Sequence, residues 1–143
     1  MPTRLSDFFT LDEFVASQYA SRHGIDNSPS LEIVAKLTRT GLEMDKVRRL
    51  LGRPVIVSSG YRCPTLNRAI GSDDDSQHVK GEAVDFICPG FGSPLDVFNK
   101  IRLSCIEFDQ LIVECGRWVH ISFSPRKRRQ CLAFDGQHYF PVA

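Results

Sequence analysis

The longest periodic stretch of apolar residues lies in the first third of the chain. Leu31, Val34, Leu37, Leu42, Val47, Leu50 and Leu51 recur as an imperfect helical stripe. Ser30 can cap it, Glu32 places negative charge in its first turn, and Gly52 ends it. Gly41 falls inside the stripe and is expected to weaken it locally. Ahead of it, Thr10-Leu11-Asp12-Glu13 reads as a capping box. That box predicts a short helix running to about Tyr19 or His23, followed by a loop over 24–29.

Beyond Gly52 the pattern shortens. Pro54 to Ser59, with its β-branched run Val55-Ile56-Val57, predicts a strand, and Pro64 to Ile70 a short helix with proline at its first position. Gly71 to Gln77 is a polar loop, and its three adjacent aspartates, 73–75, lack the spacing of a calcium loop. Ala83 to Cys88 is an apolar strand whose single charge is Asp85, and Ser93-Pro94 opens a helix to about Ser104. Phe108 to Glu114 and Trp118 to Phe123 read as a hairpin joined by Cys115-Gly116-Arg117. That loop length pairs Glu114 with Trp118 and Ile112 with His120, so these four side chains share one face and Asp109 points to the other. Cys131 to Phe134 is expected as a last edge strand.

Length and charge narrow the class. A chain of 143 residues suits one domain spanning 1–143. A net charge of +1 gives no global field for nucleic acid. No apolar run is long enough to insert in a membrane. The first residues carry no apolar signal-peptide core, which predicts a cytoplasmic protein, with release to the cell wall during lysis as its route out. The five cysteines are scattered without a C-x-x-C pair and read as reduced thiols, with Cys88 and Cys105 in apolar contexts expected to be buried. The run Pro125-Arg126-Lys127-Arg128-Arg129 is expected as a solvated basic turn.

The candidate chemistry sits in the middle of this framework. His78 and Asp85 lie seven positions apart around Gly81 and Ala83, and His120 stands in the alternating segment Trp118–Ser122. Two histidines and a carboxylate supply three zinc ligands and leave a fourth position open, the ligand count of a catalytic rather than a structural zinc site. Asp85, alone in an apolar strand, requires a metal or a donor partner. His23 and His138 lie in no such context and are expected at the surface.

At Ser59-Gly60-Tyr61-Arg62, Asn67, Ser76-Gln77-His78-Val79-Lys80-Gly81-Glu82-Ala83-Val84-Asp85 and Trp118-Val119-His120, the chain resembles the zinc D-Ala-D-Ala carboxypeptidase family, whose fold is shared with the hedgehog signalling domain. Phe9 to Phe14 also looks like its small phage and prophage members. The resemblance implies an α+β domain with a small, mainly antiparallel sheet, helices packed on one face and a zinc cleft on the other. It implies one zinc ion per chain and a peptidoglycan stem peptide as substrate. Many relatives place an acid three positions before the last histidine, but here that residue is Arg117. The hedgehog-like arrangement carries a glutamate six positions before it, which Glu114 matches, making Glu114 the candidate base. Arg62 is the candidate anchor for a substrate carboxylate, with Ser76 and Tyr61 as donors and Trp118 as a wall. D-Ala-D-Ala carboxypeptidase activity is the family default. A phage-type endopeptidase (an endolysin) and a zinc-binding, non-catalytic interaction or structural module are the alternatives.

Overall fold

Helix α3, Leu31–Leu51, is the scaffold, and its ends are those the sequence predicts. The Ser30 side chain accepts a hydrogen bond from the Ile33 N–H, and Gly52 closes the helix in the left-handed conformation at φ 67°. The computed structural model describes residues 3–143. The other elements are α1 Leu11–Val15, α2 Gln18–Arg22, β1 Ile56–Ser59, α4 Pro64–Ala69, β2 Ala83–Ile87, α5 Pro94–Arg102, β3 Gln110–Glu114, β4 Trp118–Ser122, β5 Gln130–Phe134 and β6 Tyr139–Pro141. Among the described residues no helix is long and apolar enough to cross a membrane.

Two expectations for the helices need correction, the position of the stripe and the undivided first helix, whereas α3 runs unbroken through Gly41. A Cβ there would lie 3.3 Å from Ser6 Oγ and 3.5 Å from both Leu5 Cβ and Phe14 Cε2, so the missing side chain lets the N-terminal segment cross close to the helix. Asp45 secures that crossing by accepting from Ser6 Oγ at 2.8 Å and from the Asp7 N–H at 3.0 Å. The predicted stripe is also rotated, for Leu31 and Leu42 face solvent while Leu37, Met44, Val47 and Leu51 are buried. The first helix, expected as one piece, is two. Ser17 caps α2 by accepting from the Ala20 N–H, and the Phe14 carbonyl accepts from the Tyr61 N–H instead of continuing the helix.

The strands form one six-stranded sheet in the order β1-β2-β4-β3-β5-β6. All its pairings are antiparallel except β3 with β5. The hairpin register is as predicted, Glu114 opposite Trp118 and Ile112 opposite His120. Alternation then sorts the faces. Val84, Phe86, Leu111, Val113, Val119 and Ile121 turn into a core shared with α3 and with Val97, Phe98 and Ile101 of α5. The alternate residues Asp85, Glu114 and His120 lie on the other face. The last strand was expected at an edge, but β6 pairs along β5 and makes it interior. Cys88 is buried as expected, whereas Cys105, expected to be buried, is exposed on the connection after α5.

The basic turn is not simply solvated. Asp109, fully buried just before β3, accepts from Arg128 Nε at 2.7 Å, Arg128 Nη2 at 2.9 Å and the Arg128 N–H at 3.1 Å. Lys127 pairs with Glu107, and Arg129 donates to the carbonyls of Ser104 and Ile106. The hydrogen bonds from Arg128 lead in holding the Asp109 carboxyl well below the ordinary carboxylate range, against its burial. A depressed carboxylate stabilises the fold above its unfolded-state pKa of about 3.9 and loses that contribution as pH falls through the folded value. Asp109→Asn is therefore expected to cost roughly 2 kcal/mol at neutral pH, less than a fully dry pair because Arg128 stays partly hydrated. Urea unfolding of both proteins between pH 7 and pH 2 checks this. The gap should be constant above about pH 5 and shrink below it.

Candidate metal and active site

Three side chains converge at the middle of the sheet. β2 carries Asp85 and β4 carries His120 directly opposite it in the register. His78 arrives from the loop between α4 and β2, with its ring buried. His78 Nε2 lies 3.2 Å and His120 Nδ1 2.8 Å from the same oxygen, Asp85 Oδ1. One ligand atom from each residue lies within 4.8 Å of the other two, which is the spacing a single small cation needs.

The protonation pattern favours a cation at that point. His78 Nδ1 is 2.6 Å from the Gly60 carbonyl, which can only accept, so Nδ1 carries the proton. Burial pushes the His78 imidazole down, towards its neutral form, although Asp85 pulls the other way. Nε2 is then the ring atom turned towards Asp85. Burial would raise the Asp85 carboxyl, but the charge and hydrogen bonds of the two histidines outweigh it and hold Asp85 well below the ordinary range. An ionised oxygen between two ring nitrogens calls for positive charge at that point, from a proton on a ring or from a metal ion. The N, O, N donor set suits zinc in kind as well as in number.

Glu114 stands on the same face, two residue pairs along from His120, half-buried at the end of β3. Burial raises its pKa, the Asp85 charge adds to the rise, and His120 and Arg62 oppose it. Arg117, three positions before His120, is exposed in the turn. Arg62 is half-buried close to this group. Burial works against its charge, while Asp85 and Glu114 favour it. Its Nη2 donates to Ser76 Oγ at 3.5 Å, and its Nε is buried with no hydrogen-bond partner. Ser76 Oγ also accepts from the His78 N–H at 3.2 Å, which leaves the hydroxyl proton free to donate elsewhere. Trp118 is half-buried beside Glu114, and its Nε1 also lacks a partner. Tyr61, in the same turn, packs its ring into the hydrophobic core at 7% exposure. His23 and His138 are exposed, as expected.

Three neighbours escaped the sequence reading. Asn27, in the loop after α2, donates to the carbonyls of Val15 and Tyr61 and accepts from the Cys63 N–H at 2.7 Å, which fixes the turn bearing Arg62. Gln77, inside the matched motif, donates to Asp109. Tyr139, on β6, pairs with Phe134, which pairs with Glu114, so one row runs Trp118-Glu114-Phe134-Tyr139 across the site face. Burial pushes its phenol up, as do the charges of Glu114 and Asp85. Nothing in the local sequence signals Asn27 or Tyr139, and the motif that contains Gln77 does not signal its partner, because each contact depends on which strand or loop becomes its neighbour. A separate groove of about 1070 Å³ between α3 and the 104–108 and 123–127 segments contains none of the converging residues.

A family model described as Peptidase M15 matches residues 7–122. No curated protein matches the chain. The match covers every converging residue and ends at the last residue of β4.

Gly60 links the site to the fold. A Cβ there would collide with the Phe14 carbonyl oxygen and lie 2.9 Å from Phe14 Cα, while the Gly60 carbonyl holds His78. Gly60→Ala should destabilise the protein by about 1–3 kcal/mol, as overpacking does, because backbone rather than a flexible side chain must yield. Chemical denaturation checks this, and a loss within a few tenths of a kcal/mol would show that the contact relaxes freely.

Proposed function

This chain belongs to the peptidase M15 family, and from that premise we propose that it is a zinc peptidase hydrolysing a peptide bond in peptidoglycan stem peptides, with D-Ala-D-Ala carboxypeptidase activity as the leading reading. The convergence of His78 Nε2, Asp85 Oδ1 and His120 Nδ1 beside Glu114 carries the peptidase reading. The unpartnered Nε of Arg62 carries the carboxypeptidase reading.

His78, Asp85 and His120 would hold the ion. Zinc bound there supplies a Lewis acid that polarises the scissile carbonyl and makes water a better nucleophile near neutral pH. The remaining work falls to the chain. Glu114 takes the proton from the attacking water and returns it to the leaving amine. Arg62 binds the C-terminal carboxylate of the peptide with two parallel hydrogen bonds, meeting the need of its buried Nε. The Ser76 hydroxyl donates to the peptide, and Trp118 walls the site beside Glu114. Tyr61, its ring packed in the core, is a second candidate donor from the turn that bears Arg62.

The purified protein is expected to bind one zinc ion per chain, and His78→Ala to lose it. Elemental analysis far below one metal per chain after zinc is added back would count against the site. Glu114→Gln keeps the shape and removes the proton acceptor. It should retain zinc and lose about 10²–10⁴-fold in kcat, the usual share of general acid–base catalysis. Zinc retention with full activity would move the base elsewhere, and a wild type that binds zinc but releases nothing from purified peptidoglycan would favour the non-catalytic module.

The two peptidase readings separate at Arg62. Arg62→Lys loses the bidentate fork and should raise KM for a peptide with a free C-terminus. Amidating that C-terminus should have a similar effect on the wild type. If mass spectrometry shows the amidated peptide cut as fast as the free acid, Arg62 reads no carboxylate and the endopeptidase reading gains.

A further inference from the structure

Arg128 sits between two residues in strained backbone, Lys127 at φ 45° and Arg129 at φ 49°, both left-handed and neither glycine. That strain turns both the N–H and the guanidinium of Arg128 onto Asp109. Asp109 Oδ2 also accepts from Gln77 Nε2 at 2.7 Å. The Gln77 side chain is buried, its Oε1 has no partner, and the bond to Asp109 is its one side-chain hydrogen bond among the described residues. Burying an amide with one unsatisfied end is unfavourable compared with an apolar residue of the same size. The residue after it is His78. Backbone strain at a turn and a half-satisfied buried amide, joined through one carboxylate, are the kind of features that persist at functional sites.

We propose that the basic turn 125–129 positions the metal ligand His78, acting through Asp109 and Gln77. The proposal rests on the reading of His78, Asp85 and His120 as zinc ligands. Arg128 fixes the plane of the Asp109 carboxylate, and the carboxylate fixes the Gln77 amide. The His78 loop is thereby held in addition to its other ties, among them the Gly60 carbonyl on the ring, the Arg62 N–H donating to the His78 carbonyl and the Ser76 hydroxyl accepting from the His78 N–H. Thr40 on α3 holds the far end of the loop through the Gly81 carbonyl. Gln77, Asp109 and Arg128 are positioning residues. None of them lies among the ligand atoms, and their effect is on where His78 Nε2 points. Arg128 lies in the part of the chain beyond the family match, so this segment completes the metal site without supplying a ligand.

The test uses zinc itself, with affinity read by competition against a chromophoric chelator. The variants are Gln77→Met, Arg128→Met and the pair combined, in the full chain. Gln77→Met leaves Asp109 its contacts with Arg128, so the fold is kept and the link to His78 is cut. Each single variant should raise the zinc Kd by about tenfold or more, as changes behind a metal ligand commonly do. The double variant should be no weaker than Gln77→Met, since Arg128 has nothing left to transmit once Gln77 is gone. The cobalt-substituted Gln77→Met protein should show a changed visible spectrum, which a loss of stability alone would not produce. A Gln77→Met Kd within twofold of wild type overturns the proposal, and so do single effects that multiply in the double variant. A wild type that binds no zinc overturns both this proposal and the metal reading, and is told apart because the failure appears before any substitution.

Discussion

A carboxylate in the middle of a β-sheet is the constraint on which this structure depends. Asp85 is paired on both sides by strands, β1 and β4, and its own strand is otherwise apolar. An ionised group in that place is costly unless positive or donor groups surround it. The surrounding groups come from sequence positions far apart. His120 comes from β4, and His78 from a loop that must be bent back against the sheet. The close approach of Gly60 to Phe14, the Asn27 bracket and the Asp109 clamp all serve that bend. Much of the irregular backbone in the first half of the chain can be read as the means of delivering one imidazole to one oxygen.

The two faces of the sheet divide the work. The inner face is apolar and rests on α3 and α5, giving the rigid support that a site of fixed geometry needs. The outer face carries charge and polar groups in rows set by the pairing of β2, β4 and β3. Because side chains repeat every two residues, Glu114 and His120 are held by the hairpin register itself and need no separate device. His78 has no strand to hold it, and it is the side chain around which hydrogen bonds accumulate.

Local chemistry made part of this legible in the sequence. The capping residues Thr10, Ser30 and Ser93 and the terminating Gly52 mark helix ends correctly, because each cap is satisfied within its own turn. The three-residue loop fixes the register of β3 against β4 and so the face shared by Glu114 and His120. The motif around His78, Asp85 and His120 identified the residues that meet. What was not legible depends on distant partners. Gly41 looks like a weak point of a helix until another segment is seen to cross it. The basic turn looks solvated until Asp109 is found beneath it. Tyr61 reads as a site residue by its neighbours in sequence, and the local motif does not tell that its ring packs into the core. The break between α1 and α2 follows from a carbonyl claimed by Tyr61, a contact no window of local sequence contains.

Adding β5 alongside β3 in parallel changes what the sheet shows to other molecules. Without it, β3 would be an outer strand, offering a row of unpaired amides and carbonyls next to Glu114, a template on which any extended peptide could zip. With it, the outer strands are β1 and β6. The first is four residues long and carries an irregularity in register between Val57 and Ser59, and the second is three residues long and ends in Pro141, which has no amide hydrogen to offer. Both borders of the sheet are thus poor partners for a further strand, and a peptide approaching the row of Glu114 meets side chains rather than an open backbone ladder.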